Sequence, residues 1–456
     1  MVDSLWVWAE DTPVGRFDRT DKGIIFTYDE AAPQTPISLS LNRNGGWTRR
    51  TPERFLDNLL PDSEDARRAM MVATGAKGTD SFSLLDGADS TGGLVFTSKP
   101  EPPDYEHVAP VIATQQAIAY RIATMRESKG TWWEEDDRIR FSLAGNQPKF
   151  ALARIGNMWT WSDATNPSTH ILKPSQTHVK ESDVVEAASM KLAGLCGVDV
   201  PRTGLETFGD SKKETAYITE RFDRYRREDG SIGRIHTEDM LQSLALPPKD
   251  KYHVKAKQIL AKLHEADPTD NLSYQWIKQV ALNVSISNAD AHAKNYSLIL
   301  RPEGIQISPM YDVLTTTYWP KVSRDLPMSI GGATGANMIT PYHWQRFADD
   351  NNLDPDKVEQ IARVMAGRVI EASEEAYEGL PADMKDRLFE ELEKANERID
   401  PLYDEPLPDE ETANGKQNQQ DDEEPIHPVD VDDSEQPRLS DGTYTFKGNG
   451  HPGGLP

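Results

Sequence analysis

The segment that decides the fold is SNADAHAKN, Ser287–Asn295. It follows a run around Leu272–Ser287 that is too apolar on all sides for a surface helix and therefore predicts a buried one. It precedes Tyr296–Leu300, which has strand character, so these polar residues form a loop on a rigid support. In this loop Asp290 is followed five positions later by Asn295. Alternatively, such residues only satisfy backbone groups at a helix end.

A second acidic residue, Asp312, lies seventeen positions after Asn295. It follows a predicted hairpin, and Pro309–Val313 is interpreted as the end of a strand. This arrangement is similar to that of protein kinases, in which the first Asp accepts a hydroxyl proton while the Asn and the second Asp hold magnesium. Magnesium prefers a few hard oxygen ligands and leaves the rest to phosphate and water. The pattern predicts a phosphoryl-transfer site.

The first 105 residues have the pattern of short strands followed by helices. Leu5–Ala9 and Gly23–Tyr28 are β-rich runs bounded by Asp, Gly and Pro. Glu53–Leu60 and Ser63–Ala73 have helical patterns. The prolines in Pro100–Asp104 block both helix and central strand, and this predicts a boundary.

A mixed α/β core is predicted after this boundary. The pattern predicts strands at Arg138–Ser142, Lys149–Ala153 and Thr169–Lys173, then a helix at Asp183–Leu195 capped by Ser182. A hairpin of Tyr296–Leu300 and Gly304–Ser308 follows the loop, and residues 354–402 are expected to be mostly helical.

Composition narrows the function classes. The formal charge of -25 argues against direct binding along a nucleic-acid backbone, since like charges repel. Cys196 is the single cysteine, so an intrachain disulfide is impossible and a cysteine zinc site is not expected. The N-terminus lacks signal-peptide features and no apolar run reaches eighteen residues. These features predict a cytoplasmic protein.

Five segments, in order along residues 5–400, resemble the HipA family of toxin kinases. They are FLDNLLPD at Phe55–Asp62, SLAGNQPK at Ser142–Lys149, TERFDR at Thr219–Arg224, TEDMLQ at Thr237–Gln242 and NADAHAKNY at Asn288–Tyr296. The second segment departs from the family pattern, because Asn146 replaces the usual Ala and Phe150 adds bulk beside Lys149. These departures bear on loop mobility and remove no residue needed for catalysis.

The resemblance implies a protein-kinase-like, two-lobed fold with a β-rich N-terminal subdomain and a largely helical C-terminal lobe. It implies an N-terminal subdomain at residues 1–105 and a kinase core at 106–402, divided near residue 225. Residues 403–456 lie outside the resemblance, and fourteen Asp or Glu against three Lys or Arg predict an acidic disordered tail.

The resemblance also implies roles for individual residues. Asp290 would be the catalytic base, Asn295 and Asp312 the magnesium ligands, and Ser142 the autophosphorylated residue that switches the kinase off. The remaining implied residues share contact with ATP: Leu143, Ala144, Gly145, Asn146, Gln147, Lys149, Lys173, Glu220, Phe222, His292 and Tyr311.

The implied function is an ATP- and magnesium-dependent serine/threonine protein kinase that acts as a toxin. Its substrate would be a translation enzyme, typically an aminoacyl-tRNA synthetase. Its partner would be a small helix-turn-helix antitoxin, through which it would reach DNA indirectly. Two alternatives stay open: a small-molecule phosphotransferase, which shares a similar Asp-to-Asn loop, and a catalytically inactive co-repressor.

Other candidate residues receive structural interpretations. His264–Pro268 is not a zinc motif, since Pro268 stands where the second His is needed. His292 is interpreted as a loop-ordering or phosphate-adjacent residue. Arg224–Arg227 is interpreted as a solvated loop, with contact to an acidic partner as the alternative. Tryptophans 132, 133, 159 and 161 are expected in the core or at a domain interface.

Overall fold

The computed structural model describes residues 3–103, 110–127, 140–145, 147–176, 179–210, 214–403 and 405–408. Every element below belongs to one compact unit, residues 1–413. The predicted disordered tail lies almost entirely outside the described residues, as do Trp132, Trp133 and Asn146. In the part of the chain that is described, no helix is both long and apolar enough to span a membrane.

An antiparallel four-stranded sheet and three helices form the first part of the chain, which we call the N-terminal subdomain. Its elements are β1 (Ser4–Ala9), β2 (Thr12–Thr20), β3 (Gly23–Tyr28), α1 (Thr51–Asp57), α2 (Glu64–Thr74), α3 (Ser81–Leu85) and β4 (Leu94–Thr97). The strand order is β3-β2-β1-β4. Helix α2 begins at the Ser63 cap, whose side chain accepts from the Ala66 amide, and it ends at Gly75, whose left-handed φ of 65° favours glycine. The β-rich start followed by helices is confirmed.

A six-stranded antiparallel sheet with two helices follows. Its elements are β5 (Val111–Ile112), α4 (Gln115–Glu127), β6 (Phe150–Ile155), β7 (Met158–Trp161), β8 (His170–Pro174), α5 (Ser182–Leu195), β9 (Thr203–Phe208) and β10 (Glu214–Glu220). The strand order β5-β7-β6-β8-β10-β9 makes β8 an interior strand. The backbone of β8 is therefore hydrogen-bonded to a strand on each side, which fixes the position from which its side chains extend.

The rest of the chain is largely helical. Its elements are β11 (Arg224–Arg226), β12 (Ile232–Arg234), β13 (Thr237–Asp239), α6 (Met240–Ser243), α7 (Ala256–Ala266), α8 (Asn271–Ser285), β14 (Ser297–Arg301), β15 (Gly304–Ile307), β16 (Asp325–Ile330), β17 (Ala333–Gly335), α9 (Pro341–Asp350), α10 (Pro355–Ala376) and α11 (Ala382–Asn396). Helix α8 is buried on nearly every face, as predicted, and packs against α10. The mixed α/β class with a helical C-terminal part is confirmed.

Two large hydrophobic cores stabilise the described part of this unit. One is continuous from the N-terminal subdomain into the six-stranded sheet, since Leu5, Phe55, Phe150 and Ile218 belong to the same cluster. The other surrounds α8 and includes Cys196, which is fully buried directly after α5. The four-stranded sheet therefore shares apolar packing with the lobe that follows it. Trp159 and Trp161 are buried in the first core, as predicted.

Three local predictions are wrong. In the described part of Arg138–Ser142, Phe141 makes only an isolated bridge with Asp89. Pro309–Val313 is not a strand, because Asp312 has a left-handed φ of 60° and the Met310 amide donates to the Asp199 carbonyl. Ser182 does not cap α5: it lies inside the helix, and its hydroxyl accepts from the Gln176 amide at 3.3 Å.

The solvated-loop interpretation is also wrong for Arg224, although Tyr225 and Arg226 are exposed. Arg224 is buried in a cluster of charges, which we call the hinge ion cluster: Asp89, Arg221, Asp223, Arg224 and Arg234. Asp89 has no exposed surface and accepts from Arg224 at 2.9 Å. Sequence spacing gave no sign of this partner because it lies 135 positions away. The cluster ties β11 and its preceding turn to the N-terminal subdomain.

Candidate functional site

The loop after α8 is held by its own polar side chains. Ser287 takes a left-handed φ of 55° where the helix ends. Asn288 accepts from the Asp290 amide at 3.1 Å, and the Asn295 side chain donates to the Asp290 carbonyl at 2.9 Å. The five-residue spacing of Asp290 and Asn295 therefore closes the loop across its width. Thr316 adds support from a neighbouring segment by accepting from the Ala289 amide at 2.7 Å.

The Asp290 carboxylate is exposed at the mouth of the loop, where an incoming hydroxyl could reach it. Its side chain accepts a hydrogen bond from the hydroxyl of Tyr252, which is 46% exposed. The Tyr252 ring meets the His292 ring edge to face, with centroids 4.9 Å apart. Sequence analysis missed Tyr252, because nothing in the spacing ties it to a loop 38 positions later.

Lys173 joins two carboxylates in the interior of the site. Its ammonium lies 2.6 Å from Glu186 on α5 and 2.6 Å from Asp312. Interior strand β8 supplies the lysine, and the left-handed backbone at Asp312 turns the carboxylate toward it. Sequence analysis missed Glu186. A lone Glu among the apolar residues of an otherwise buried helix was the signal that could have found it.

Charge coupling in this group is strong. Burial disfavours the charge on Lys173, but Asp312 and Glu186 raise its pKa above the ordinary value. Burial would raise the pKa of Asp312, yet Lys173 and Lys149 hold it well below its usual range. Burial raises the pKa of Glu186, with Lys173 opposing that shift. Asp312 is therefore held ionised, the form that a metal ligand needs.

The segment Ser142–Lys149 lies beside this group. The Ser142 hydroxyl is fully buried and donates to the Leu59 carbonyl at 2.7 Å. Gly145 has a φ of 103°, and a Cβ there would lie 2.9 Å from the Lys149 ammonium. Burial and then the nearby Lys173 lower the pKa of Lys149 to about 8. Two lysines thus act on Asp312, and Gly145 lies beside one of them, an arrangement that suits an anionic ligand. Leu143 is buried, Ala144 and Gln147 are half-buried, and Asn146 lies outside the described residues.

The remaining predicted contacts lie around the end of β10. Glu220 is the last residue of β10, and its carboxylate is 3.8 Å from His170 Nε2. The Phe222 ring stacks on the Tyr311 ring with centroids 5.6 Å apart. Tyr311 donates to the Lys294 carbonyl at 2.7 Å, next to Asn295. The structure therefore connects Phe222, through Tyr311, to the loop that carries Asp290.

His292 is buried within the loop. Burial lowers its pKa to about 3, so the ring is neutral at pH 7. The described residues supply no hydrogen-bond partner for its Nδ1 atom.

The donor set fits ATP and magnesium. Asp312 and Asn295 offer a carboxylate and an amide, which is the partial ligand set magnesium takes when phosphate supplies the rest. Across the described ranges there is no group of three or more His, Cys, Asp or Glu that could form a closed metal site. One oxygen of the fully buried Glu186 lacks a hydrogen-bond partner among these residues, so the interior still has an unsatisfied acceptor.

A pH dependence follows from His170, whose pKa is lowered to about 4 by burial, then by Arg154 and Arg226. In the unfolded chain histidine binds its proton near pH 6.5. The contribution of neutral His170 to the free energy of unfolding is therefore fully present above pH 6.5 and is lost as pH falls toward 4. When the pH is lowered from 8 to 5, the free energy of unfolding of wild type should fall by about 2 kcal/mol more than that of His170→Gln. Urea unfolding of both proteins at both pH values measures this difference, and equal losses would contradict it.

Comparison with known proteins gives matches over both parts of the chain. The family model described as the HipA-like C-terminal domain matches residues 141–373, and that of the HipA N-terminal domain matches residues 5–97. Y4mE of Sinorhizobium fredii, which carries a provisional kinase name, is 30% identical over 397 residues, covering 79% of this chain and 91% of Y4mE. The serine/threonine-protein kinase toxin HipA of Shewanella oneidensis is 27% identical over 380 residues, covering 78% and 84%.

A solved structure has the same fold. It is the Shewanella oneidensis MR-1 complex of HipA, HipB and operator DNA, with a TM-score of 0.73 and 23% identity. The alignment covers 87% of this chain and 98% of that one.

Proposed function

Since the chain belongs to the HipA family of serine/threonine kinases, we propose that Asp290 accepts the proton of a serine or threonine hydroxyl as that hydroxyl is phosphorylated. The observation that carries this proposal is the Lys173 ammonium, held at 2.6 Å from both Glu186 and Asp312, in a lobe next to the Asp290 loop. Protein kinases need a lysine-glutamate pair and a metal-binding Asp in place together.

The remaining roles follow from position and charge. Asn295 and Asp312 hold magnesium, which supplies charge neutralisation at the phosphates when bound. Lys173 and Lys149 orient the phosphates, and the backbone near Gly145 approaches them closely. Phe222 packs on the adenine face, and Glu220 contacts its edge. The other predicted ATP contacts, Leu143, Ala144, Asn146, Gln147, His292 and Tyr311, complete the proposed site.

We further propose that the kinase acts as a toxin in the cytoplasm. Its substrate is a translation enzyme such as an aminoacyl-tRNA synthetase, and a HipB-like helix-turn-helix antitoxin neutralises it. The similar HipA of Shewanella oneidensis was solved in complex with HipB and operator DNA, and this similarity supports an antitoxin of that kind as the partner. The net charge of -25 supports an indirect route to DNA through that partner.

Ser142 is the proposed site of autophosphorylation. Its hydroxyl has no exposed surface and is used by the Leu59 carbonyl. A phosphate adds about two negative charges and three acceptor oxygens, which this buried position cannot hold. Phosphorylation would therefore keep Ser142–Lys149 out of its present position and switch the kinase off.

Phosphopeptide mass spectrometry after incubation with ATP and magnesium tests the proposal. Phosphate on Ser142 in wild type, and none in Asp290→Asn, is the expected result. Phosphate in neither protein would oppose a protein kinase, and an ATP titration would then separate a small-molecule phosphotransferase from a co-repressor that binds no nucleotide.

A further inference from the structure

The segment Asn58–Asp62, NLLPD, has no role in the chemistry described so far. It links α1 to α2 in the N-terminal subdomain, outside both lobes of the kinase core. Its residues nonetheless contact three separate parts of the candidate active site. We call it the bridge segment.

The bridge segment holds Ser287–Asn295, which we call the catalytic loop, through Lys294. The Lys294 ammonium donates to the Asn58 carbonyl and to Asn58 Oδ1, both at 3.0 Å. Lys294 is buried and precedes Asn295 directly in the chain. The Asn58 amide donates to the carbonyls of Arg54 and Leu246, both at 2.8 Å, so its Oδ1 atom is left facing Lys294. The orientation of Asn58 is therefore fixed by all its polar atoms.

The same segment also contacts Ser142–Lys149, which we call the phosphate loop. The Leu59 carbonyl accepts from Ser142, and the Asp62 amide donates to the Gly145 carbonyl at 3.1 Å. Pro61 forms a parallel bridge with Gly145. Hydrogen bonds of Asn58, Leu59 and Asp62 thus join the Asp290 loop and Ser142–Lys149 to one short segment.

A third contact of the bridge segment is made by Asp62 to Lys251, the neighbour of the tyrosine that hydrogen-bonds to Asp290. The Asp62 carboxylate accepts from Lys251 at 2.9 Å and lies 3.8 Å from Lys294. Lys251 precedes Tyr252, whose hydroxyl donates to Asp290. Burial opposes ionisation of Asp62, yet Lys294 and Lys251 lower its pKa below the usual value. An ionised Asp62 thus lies between Lys294, within the catalytic loop, and Lys251, next to Tyr252.

From these contacts we infer that Asn58 and Asp62 are positioning residues for phosphoryl transfer, holding the phosphate loop and the catalytic loop at a fixed separation. This inference rests on the proposed kinase function. The N-terminal subdomain is then part of the catalytic apparatus. A misplacement of about 1 Å in a reacting group can lower a rate about 100-fold, so a small shift of the Asp290 loop has a large effect.

Asn58→Ala tests the inference in the full-length protein. It removes the side-chain acceptor for Lys294, together with the amide that donates to the Arg54 and Leu246 carbonyls, and leaves the backbone contacts to Ser142 and Gly145 in place. The autophosphorylation rate at saturating ATP should fall about 10- to 100-fold, while the dissociation constant for ATP changes less than about twofold. If Asn58 had only a structural role, the substitution would lower the melting temperature without slowing turnover selectively over ATP binding.

Asn351→Ala is the matched control. Asn351 also follows a helix, α9, and donates its amide to the carbonyl four residues earlier, Phe347, at 2.7 Å. It should change neither rate nor ATP binding. Pairing Asn58→Ala with Lys294→Gln tests the contact itself: the double variant should be no slower than Lys294→Gln alone, because Lys294→Gln already removes the ammonium through which Asn58 acts. Independent, multiplying losses would overturn the inference.

A second measurement does not depend on activity. Amide hydrogen exchange should accelerate at least about 10-fold in peptides covering Asn288–Tyr296 of Asn58→Ala, and not in peptides from α10. Unchanged exchange in the loop overturns the positioning role, whether or not wild type phosphorylates anything. Faster exchange in an inactive wild-type background would uphold the contact and reject only the proposed kinase function.

Discussion

Replacing Asp290 with Asn is expected to lower the phosphorylation rate about 1,000-fold. General acid-base catalysis contributes about 10²- to 10⁴-fold, and the amide keeps the shape of the carboxylate but cannot accept the proton of the attacking hydroxyl. Asn295 donates to the Asp290 carbonyl, which the substitution leaves intact, so the loop should keep its conformation. Initial rates of phosphate incorporation at saturating ATP measure the loss.

ATP binding separates lost chemistry from a damaged fold. Because Lys173 and Asp312 lie on other elements, the dissociation constant for ATP should stay within about twofold of wild type. Asp349→Asn, an exposed carboxylate on α9, is the matched control and should be fully active. A fall of less than tenfold in the Asp290 variant would mean that Asp290 is not the base.

Replacing Asp89 with Ala is expected to reduce the free energy of unfolding by about 3–5 kcal/mol, because it leaves three buried guanidinium groups with Asp223 as the one carboxylate of the cluster. Asp89 has no exposed surface, and it accepts from Arg224 at 2.9 Å and from the Ser168 hydroxyl at 2.6 Å. Arg221 and Arg234 each lie 3.4 Å from it. Urea unfolding followed by tryptophan fluorescence measures the change.

The control for Asp89 is an ion pair in water. Asp65 pairs with Arg68 at 2.7 Å on α2, but both side chains are mostly exposed. Exposed pairs contribute about 0.2–1 kcal/mol, so Asp65→Ala should unfold within about 1 kcal/mol of wild type. Similar losses in the two variants would show that the hinge ion cluster is not a special source of stability.

Local patterns predicted much of this fold. The burial of α8, the hairpin after it and the positions of Asp290 and Asn295 depend on residues close together in sequence, where periodicity and spacing are informative. Lys173 and Asp312 were singled out by motif, and the structure brings their charged groups into contact.

Long-range partners explain what was missed. Glu186 fits the helical pattern of its neighbours, and only the fold shows that its carboxylate contacts the Lys173 ammonium. Arg224 reads as a surface cation until Asp89 is found beside it. Asp312 has a left-handed backbone that does not occur in a strand, and its carboxylate contacts Lys173. Strand propensity depends on neighbouring residues and does not predict such a distant contact. These contacts join residues 13 to 139 positions apart.

The buried thiol of Cys196 gives the protein a built-in reporter. Burial raises its pKa to about 12, and only the ionised thiolate reacts readily, so labelling reagents should find the folded chain inert. Labelling of this single cysteine would then count openings of the α8 core and nothing else. The same silence makes wild type a clean background for attaching one dye at any engineered surface cysteine, for example to watch the lobes during turnover.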